Sequence, residues 1–334
     1  MKDMPIDIVL PWVDDKDPVW QEERAQFLGE ATVSATRYES WDNLQYIFRA
    51  IEQNMPWFRY VFFVTWGHVP SWLNEENAHL RVVRHDDYIP KEYLPTFNSN
   101  VIEMNYHRIK ELSENFILFN DDLIPLQPIG KDYYFQKNMP CEEAVETHFV
   151  LKEGINQEIS PWWNYSNVNN MIIINRHFDK KQVIRENYEK WFNPIYGERM
   201  KHNLAMYYWH DFESFVYPHE ATPMKKSVLR EIWEKEGRTL DRACHNRFRA
   251  SSDVTQRLIT LWQICSGKFV PHKFQGKFFL AERGNLAEIL VSIQERRYPM
   301  ICLNEKTSED FPLLKQKVNA ALHDLYPHKS SFEL

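Results

Sequence analysis

Glycine is scarce in this sequence. There are 9 in 334 residues, and no two are spaced to form GxGxxG or GxxxxGK[ST]. A nucleotide bound here is bound without a glycine-rich phosphate loop. The 4 cysteines, Cys141, Cys244, Cys265 and Cys302, form no CxxC pair. That argues against a zinc ribbon or a disulfide scaffold and for reduced thiols in the cytoplasm. Long apolar runs are missing as well, since none approaches the roughly 20 residues of a membrane span. The run from Ile6 to Val13 is broken by Asp7 and Pro11 and does not read as a signal peptide. No stretch carries one charge sign, and 40 Lys+Arg against 47 Asp+Glu leave a net charge of -7. Without a basic face, a nucleic-acid partner is not expected. Aromatic residues are plentiful at 15%, with 12 Trp. Such rings stack on sugar faces, but most belong to a core or to groove walls.

The first 125 residues alternate between strand and helix patterns. Apolar runs at Ile6–Val13, Tyr60–Thr65, Leu80–His85 and Phe116–Phe119 read as buried strands. Asp42 is placed to cap a helix carrying Leu44, Ile47, Phe48 and Ile51 on one face. Asn100 and Glu103 have capping-box spacing ahead of Tyr106, Ile109 and Leu112. This alternation predicts an α/β fold with a mostly parallel, Rossmann-like sheet flanked by helices. Beyond residue 125 the pattern predicts a strand at Met171–Ile174 and helices at 181–192, 225–236, 253–266, 284–297 and 312–325. With no repeat and no linker, residues 1–334 read as one composite domain. Residues 1–125 form its α/β half, and 126–334 a mixed, mainly helical half that completes the site.

In open parallel sheets, ligands bind beyond the carboxyl ends of the strands. Asp14, Asp15 and Asp17 follow the first strand; Asn120, Asp121 and Asp122 follow the fourth. Carboxylates there suit a hard divalent cation that bridges diphosphate oxygens, or they are solvated turn residues. The segment Leu94–Glu103, with Asn98 and Ser99, opens a helix whose free amides would attract phosphate, or whose polar groups simply cap it. His219, between Pro218 and Pro223, has the chemistry of a general base. In a chain with 13 histidines, a structural role is the other reading. Arg247 and Arg249 could bind phosphate bidentately, beside Asp253 at the start of a helix, or form a surface pair with an N-cap.

Four blocks of the chain carry a family resemblance. The first is Ile6-Asp-Ile-Val-Leu-Pro-Trp12-Val-Asp14-Asp-Lys-Asp17-Pro-Val-Trp20. The second runs from Trp41 to Asp122 and contains Thr65-Trp-Gly-His68-Val-Pro-Ser-Trp72, Leu94-Pro-Thr-Phe-Asn98-Ser99 and Phe119-Asn120-Asp121-Asp122. The third spans His219-Glu-Ala-Thr-Pro-Met to Arg247-Phe-Arg249 and Asp253; the fourth is Ile301-Cys-Leu-Asn304-Glu305. In order and spacing these blocks resemble the Stealth family of sugar-1-phosphate transferases. That family includes bacterial capsule and cell-surface polysaccharide phosphotransferases and the catalytic subunit of the lysosomal-enzyme GlcNAc-1-phosphotransferase.

The resemblance implies attack of an acceptor-sugar hydroxyl on the β-phosphorus of a UDP-hexose or UDP-N-acetylhexosamine, with release of UMP. It implies Mg²⁺ (or Mn²⁺) held by Asp121 and Asp122, with Glu305 as a further ligand. It makes His219 the base, Arg249 the group that stabilises phosphate charge, and Asp253 its orienter. Asp14, Trp12, Asp17, Asn98, Ser99, Glu103, Asn120, Arg247 and Asn304 would surround the donor. The implied acceptor is a lipid-linked oligosaccharide or a growing polysaccharide, met peripherally at the inner face of the plasma membrane by a cytoplasmic enzyme. The chain departs from the family pattern at Asp15-Lys16, where Gly-Ser is usual, at His68, often Gln, and at Glu305, usually Asp. It also lacks the large modular insertions of the animal enzyme, which fits a compact bacterial one. Two other readings remain: a metal-dependent glycosyltransferase releasing UDP, and a noncatalytic carbohydrate-binding protein.

Overall fold

The computed structural model describes residues 4–28, 40–149, 161–305 and 310–334. Its central sheet is built on strands β1 (Ile6–Trp12), β2 (Val61–Thr65), β3 (Leu80–Arg84) and β4 (Asn115–Leu118), all mutually parallel. β1 lies between β4 and β2, with Ile8 opposite Val61 and Ile117. Alternate residues of each strand point to opposite faces. Val9, Phe62, Val64 and Phe116 enter one core, whereas Ile8, Leu10, Phe63 and Ile117 enter the other. Both faces are covered, so the strands read as unbroken apolar runs.

Helix α1 (Pro18–Leu28) follows β1 and buries only Trp20, whereas α2 (Leu44–Asn54) buries Ile47, Phe48 and Ile51 on the second face. Asn43, not Asp42, holds the N-cap position of α2, and it makes no side-chain cap bond. Asp42 has a positive φ and turns outward to Lys16 and Lys315. The short helix α3 (Ser99–Met104) is capped by Asn98, whose Oδ1 accepts the Asn100 amide, so Asn100 and Glu103 form no capping box.

The predicted strand at Met171–Ile174 is instead the middle of α4 (Pro161–His177). A four-residue apolar run does not distinguish strand from buried helix; here Ile173 and Ile174 are buried while Ile172 faces outward. Helices α5 (Lys226–Cys244) and α6 (Arg257–Cys265) cover the first face through Leu229, Ile232, Leu258 and Ile259. α6 begins four residues after Asp253, which is buried rather than a helix cap. Helices α7 (Leu286–Gln294) and α8 (Phe311–Leu325) pack on the second face.

Two further pieces complete the site's frame. Strand Thr222–Lys225 joins the edge of the main sheet antiparallel to β4, where Pro223 is tolerated. Directly after Asp121 and Asp122, Leu123–Pro125 pairs antiparallel with Met300–Glu305, which in turn pairs parallel with Lys277–Ala281. Cys302 opposite Leu123 fixes a register that carries Asn304 back to Asp122. No helix among the described residues is long and apolar enough to cross a membrane.

Candidate active site

A cleft of about 400 Å³ opens above the carboxyl ends of β1, β3 and β4. Trp12 and Val13 enter it from β1, His85 from β3, and Asp121 and Asp122 from β4. Trp20 of α1 and Trp41, Asn43 and Leu44 at the start of α2 form part of the wall. Thr96, Phe97, Ser99 and Ile102 form another, and Arg249 and Asn304 come from distant sequence. The strand-end rule therefore finds the cleft, although several lining residues carry no motif of their own.

The acidic end is organised by Asp122. Its Oδ2 accepts from Asn304 Nδ2 at 2.7 Å and from Cys302 Sγ at 3.3 Å. Its Oδ1 is buried with no hydrogen-bond partner. Burial pushes the carboxyl pKa up, against those two hydrogen bonds. Asp121 is exposed and lines the same cleft. Among the described residues no three His, Cys, Asp or Glu side chains converge on one point. Two carboxylates, one with an unused buried oxygen, nevertheless match the habit of Mg²⁺, which keeps waters and substrate phosphates as its other ligands. Glu305 ends its strand, but its side chain lies outside the described residues. Asn120 closes the turn, its carbonyl accepting the Leu123 amide, and is not among the lining residues.

Across the cleft, Arg249 donates to Ser99 Oγ at 3.0 Å. Glu103 is buried, and desolvation pushes its carboxyl up to about 7 even though the Arg249 charge opposes the shift. Asn98 and Asp253 stand behind this wall, joined by an Asn98 Nδ2 bond to Asp253 Oδ2 at 3.0 Å. Arg247 lies over the Phe27 ring at 4.7 Å, and its carbonyl accepts the Phe97 amide. Its guanidinium is thus engaged with α1, and Arg247 does not line the cleft.

Asp14 and Asp17 shape the turn after β1 and line no part of the cleft. Asp17 Oδ1 caps α1 by accepting the Val19 and Trp20 amides, both at 2.9 Å. The Asp14 amide donates to His68 Nε2 at 2.7 Å, and Asp14 Oδ1 accepts the Lys16 amide. Burial lowers the His68 pKa, which keeps Nε2 available as an acceptor. His68 therefore fastens the altered Asp15-Lys16 turn.

His219 has a φ of 52° and is held between Tyr217 and Phe278, with ring centroids at 4.5 and 4.4 Å. Burial, then the Arg257 charge, brings its pKa down to about 4, so the ring is neutral near pH 7. It is not a lining residue. Burial likewise pushes the pKa of the neighbouring Tyr217 hydroxyl up.

Trp41, Asn43, His85, Thr96 and Phe97 line the cleft, although the sequence reading assigns none of them a site role. His85 was accessible to the same strand-end rule as Asp121, since it directly follows β3. It is buried, and desolvation lowers its pKa to about 3.

The family models for Stealth conserved region 1 and conserved region 2 match residues 4–31 and 37–142. The first covers the β1 turn, and the second ends beyond Asp121-Asp122. A capsular polysaccharide phosphotransferase, WcwK, of Streptococcus pneumoniae is 37% identical over 98% of both chains. The chain belongs to the Stealth family. It is a phosphotransferase enzyme, as relatives named for that activity match it over 96–99% of their own length. The exopolysaccharide phosphotransferase cps2G of Lactiplantibacillus plantarum is 31% identical over 98% of this Stealth protein and 96% of its own length. The receptor polysaccharide phosphotransferase WefC of Streptococcus oralis is 31% identical over 98% of this chain and 99% of its own. That span takes in the segments bearing His219, Arg249, Asp253 and Asn304 as well as the two conserved regions.

Proposed function

We propose that this Stealth protein transfers a hexose-1-phosphate or N-acetylhexosamine-1-phosphate from a UDP-sugar to a hydroxyl of a growing or lipid-linked cell-surface glycan. UMP leaves, and a phosphodiester forms. The observation that carries this reading is the shared cleft, in which Asp121 and Asp122 face Arg249 and Ser99 at the carboxyl ends of a parallel sheet. Relatives named for phosphotransfer to capsular and extracellular polysaccharide supply the acceptor class.

Asp122 and Asp121 would hold Mg²⁺ (or Mn²⁺), with Asp122 Oδ1 free for it and Asn304 fixing Oδ2. Such an ion neutralises charge on the diphosphate when bound. Arg249 contributes a planar cation for non-bridging phosphate oxygens, and the Ser99 hydroxyl a further hydrogen bond. Trp12 and Trp20 offer flat apolar walls that exclude water from the reacting bond. His219, neutral near pH 7, is the proposed acceptor of the proton from the attacking hydroxyl. His219 lies outside the cleft lining, so this role requires the acceptor hydroxyl to approach from beyond that lining. The enzyme would work in the cytoplasm and reach its acceptor at the membrane surface peripherally.

The test is to incubate the protein with a panel of UDP-sugars, Mg²⁺ and a membrane-derived acceptor fraction, then identify the nucleotide released. Acceptor-dependent UMP supports the proposal and names the sugar. UDP would move the enzyme to the glycosyltransferases, and sugar binding without nucleotide release would favour a noncatalytic role.

A further inference from the structure

Asp253 is 1% exposed, and its carboxylate is filled by N–H donors from two loops. Oδ2 accepts from Asn98 Nδ2 at 3.0 Å, Asn100 Nδ2 at 2.9 Å and the Ala250 amide at 3.1 Å. Oδ1 accepts from Asn246 Nδ2 at 2.8 Å, and the same nitrogen donates to Ser252 Oγ at 2.8 Å. Backbone contacts run alongside: the Phe97 amide donates to the Arg247 carbonyl at 2.8 Å, and Phe97 stacks on Phe248 at 5.3 Å. The clasp joins the loop bearing Ser99 to the loop bearing Arg249, and these two residues meet in the cleft.

We propose that Asn246 is a positioning residue for phosphate recognition. It holds Asp253 Oδ1, and through Asp253, Asn98 and Asn100 it sets the placement of Ser99 and Arg249. The inference rests on reading the cleft as the donor site. Its basis is the unequal use of the two carboxylate oxygens. Oδ2 has three donors drawn from both loops, whereas Asn246 is the donor on Oδ1. Removing that donor leaves a buried charged oxygen without its partner. The carboxylate relieves this by turning toward another donor or water, at the expense of the Asn98 and Asn100 bonds. A guanidinium reads phosphate through a planar fork, so a shift of well under its own width weakens recognition. Asn246 itself does not line the cleft and acts only through these intermediates.

The experiment uses the full chain as Asn246→Ala, with Asn203→Ala as a control. Asn203 is equally central to its own surroundings, receiving the Glu146 amide and donating to the Ala144 and Trp191 carbonyls. Amide hydrogen exchange over residues 96–100, calorimetric affinity for UDP with Mg²⁺, and melting temperature are measured for each. Asn246→Ala is expected to speed exchange at 96–100 and to weaken UDP binding by about tenfold. Asn203→Ala is expected to lower the melting temperature at least as far and leave UDP affinity unchanged. Exchange at the wild-type rate in Asn246→Ala, or faster exchange with unchanged UDP affinity, overturns the proposal. A wild-type chain that binds no UDP counts against the donor reading alone, and exchange over 96–100 then decides the clasp.

Discussion

Asn304 Nδ2 donates to Asp122 Oδ2 at 2.7 Å, joining side chains 182 positions apart in the chain. The bond occupies one carboxylate oxygen and leaves Oδ1 as the atom available to a cation. Asp122→Asn should therefore cut turnover by roughly a hundredfold or more while leaving the fold intact. Turnover against Mg²⁺ concentration, with circular dichroism as the folding control, checks this. Near-wild-type turnover at low Mg²⁺ would remove Asp122 from the metal site.

His219→Ala should lower the chemical rate by about a hundredfold or more with little change in donor affinity, as loss of a general base does. Single-turnover kinetics separate the two quantities. A change confined to donor affinity would make His219 a substrate contact.

Glu103 supplies a pH test of the cleft wall. Its folded pKa of about 7 lies above the ordinary value of 4.5, so the folded chain retains a proton that the unfolded chain releases. This contribution to stability is fully present below about pH 4.5 and is lost as pH rises through about 7. Glu103→Gln should consequently gain on the wild type between pH 4.5 and pH 8, by up to about 3 kcal/mol. Urea denaturation at the two pH values measures it; parallel pH profiles for both proteins would refute the assignment.

Lys180 and Glu146 form an ion pair at 2.7 Å with both side chains fully buried. Lys180→Met alone should destabilise the fold by roughly 3–5 kcal/mol, because it strands a buried carboxylate. Adding Glu146→Gln should restore much of that loss. Chemical denaturation of the single and double variants, read as a double-mutant cycle, checks the coupling.

The four parallel strands were legible because their apolar runs sit between turn signals, and the acidic end was legible because Asp121 and Asp122 follow such a run. The Met171–Ile174 segment failed because its helical face is set by packing against α6, which a local window does not contain. Asp42 and Asp253 failed as caps for a related reason. Each has a polar side chain of the right type, but Lys315 claims the first and Asn98, Asn100 and Asn246 surround the second. The blocks brought Arg249 and Asn304 into view, whereas their meeting with β1 and β4 depends on sheet register. Trp41 and Phe97 look like any other core aromatics until the cleft exists.

The short pairing of Leu123–Pro125 with Met300–Glu305 also orders events during synthesis. The ribosome must deliver the strand carrying Asn304 before the turn at Asp122 can acquire its partner. A nascent chain holding every residue of β1 to β4 thus emerges without an assembled acidic end. The turn at Asp122 waits for a strand translated 182 residues later before its carboxylate is held.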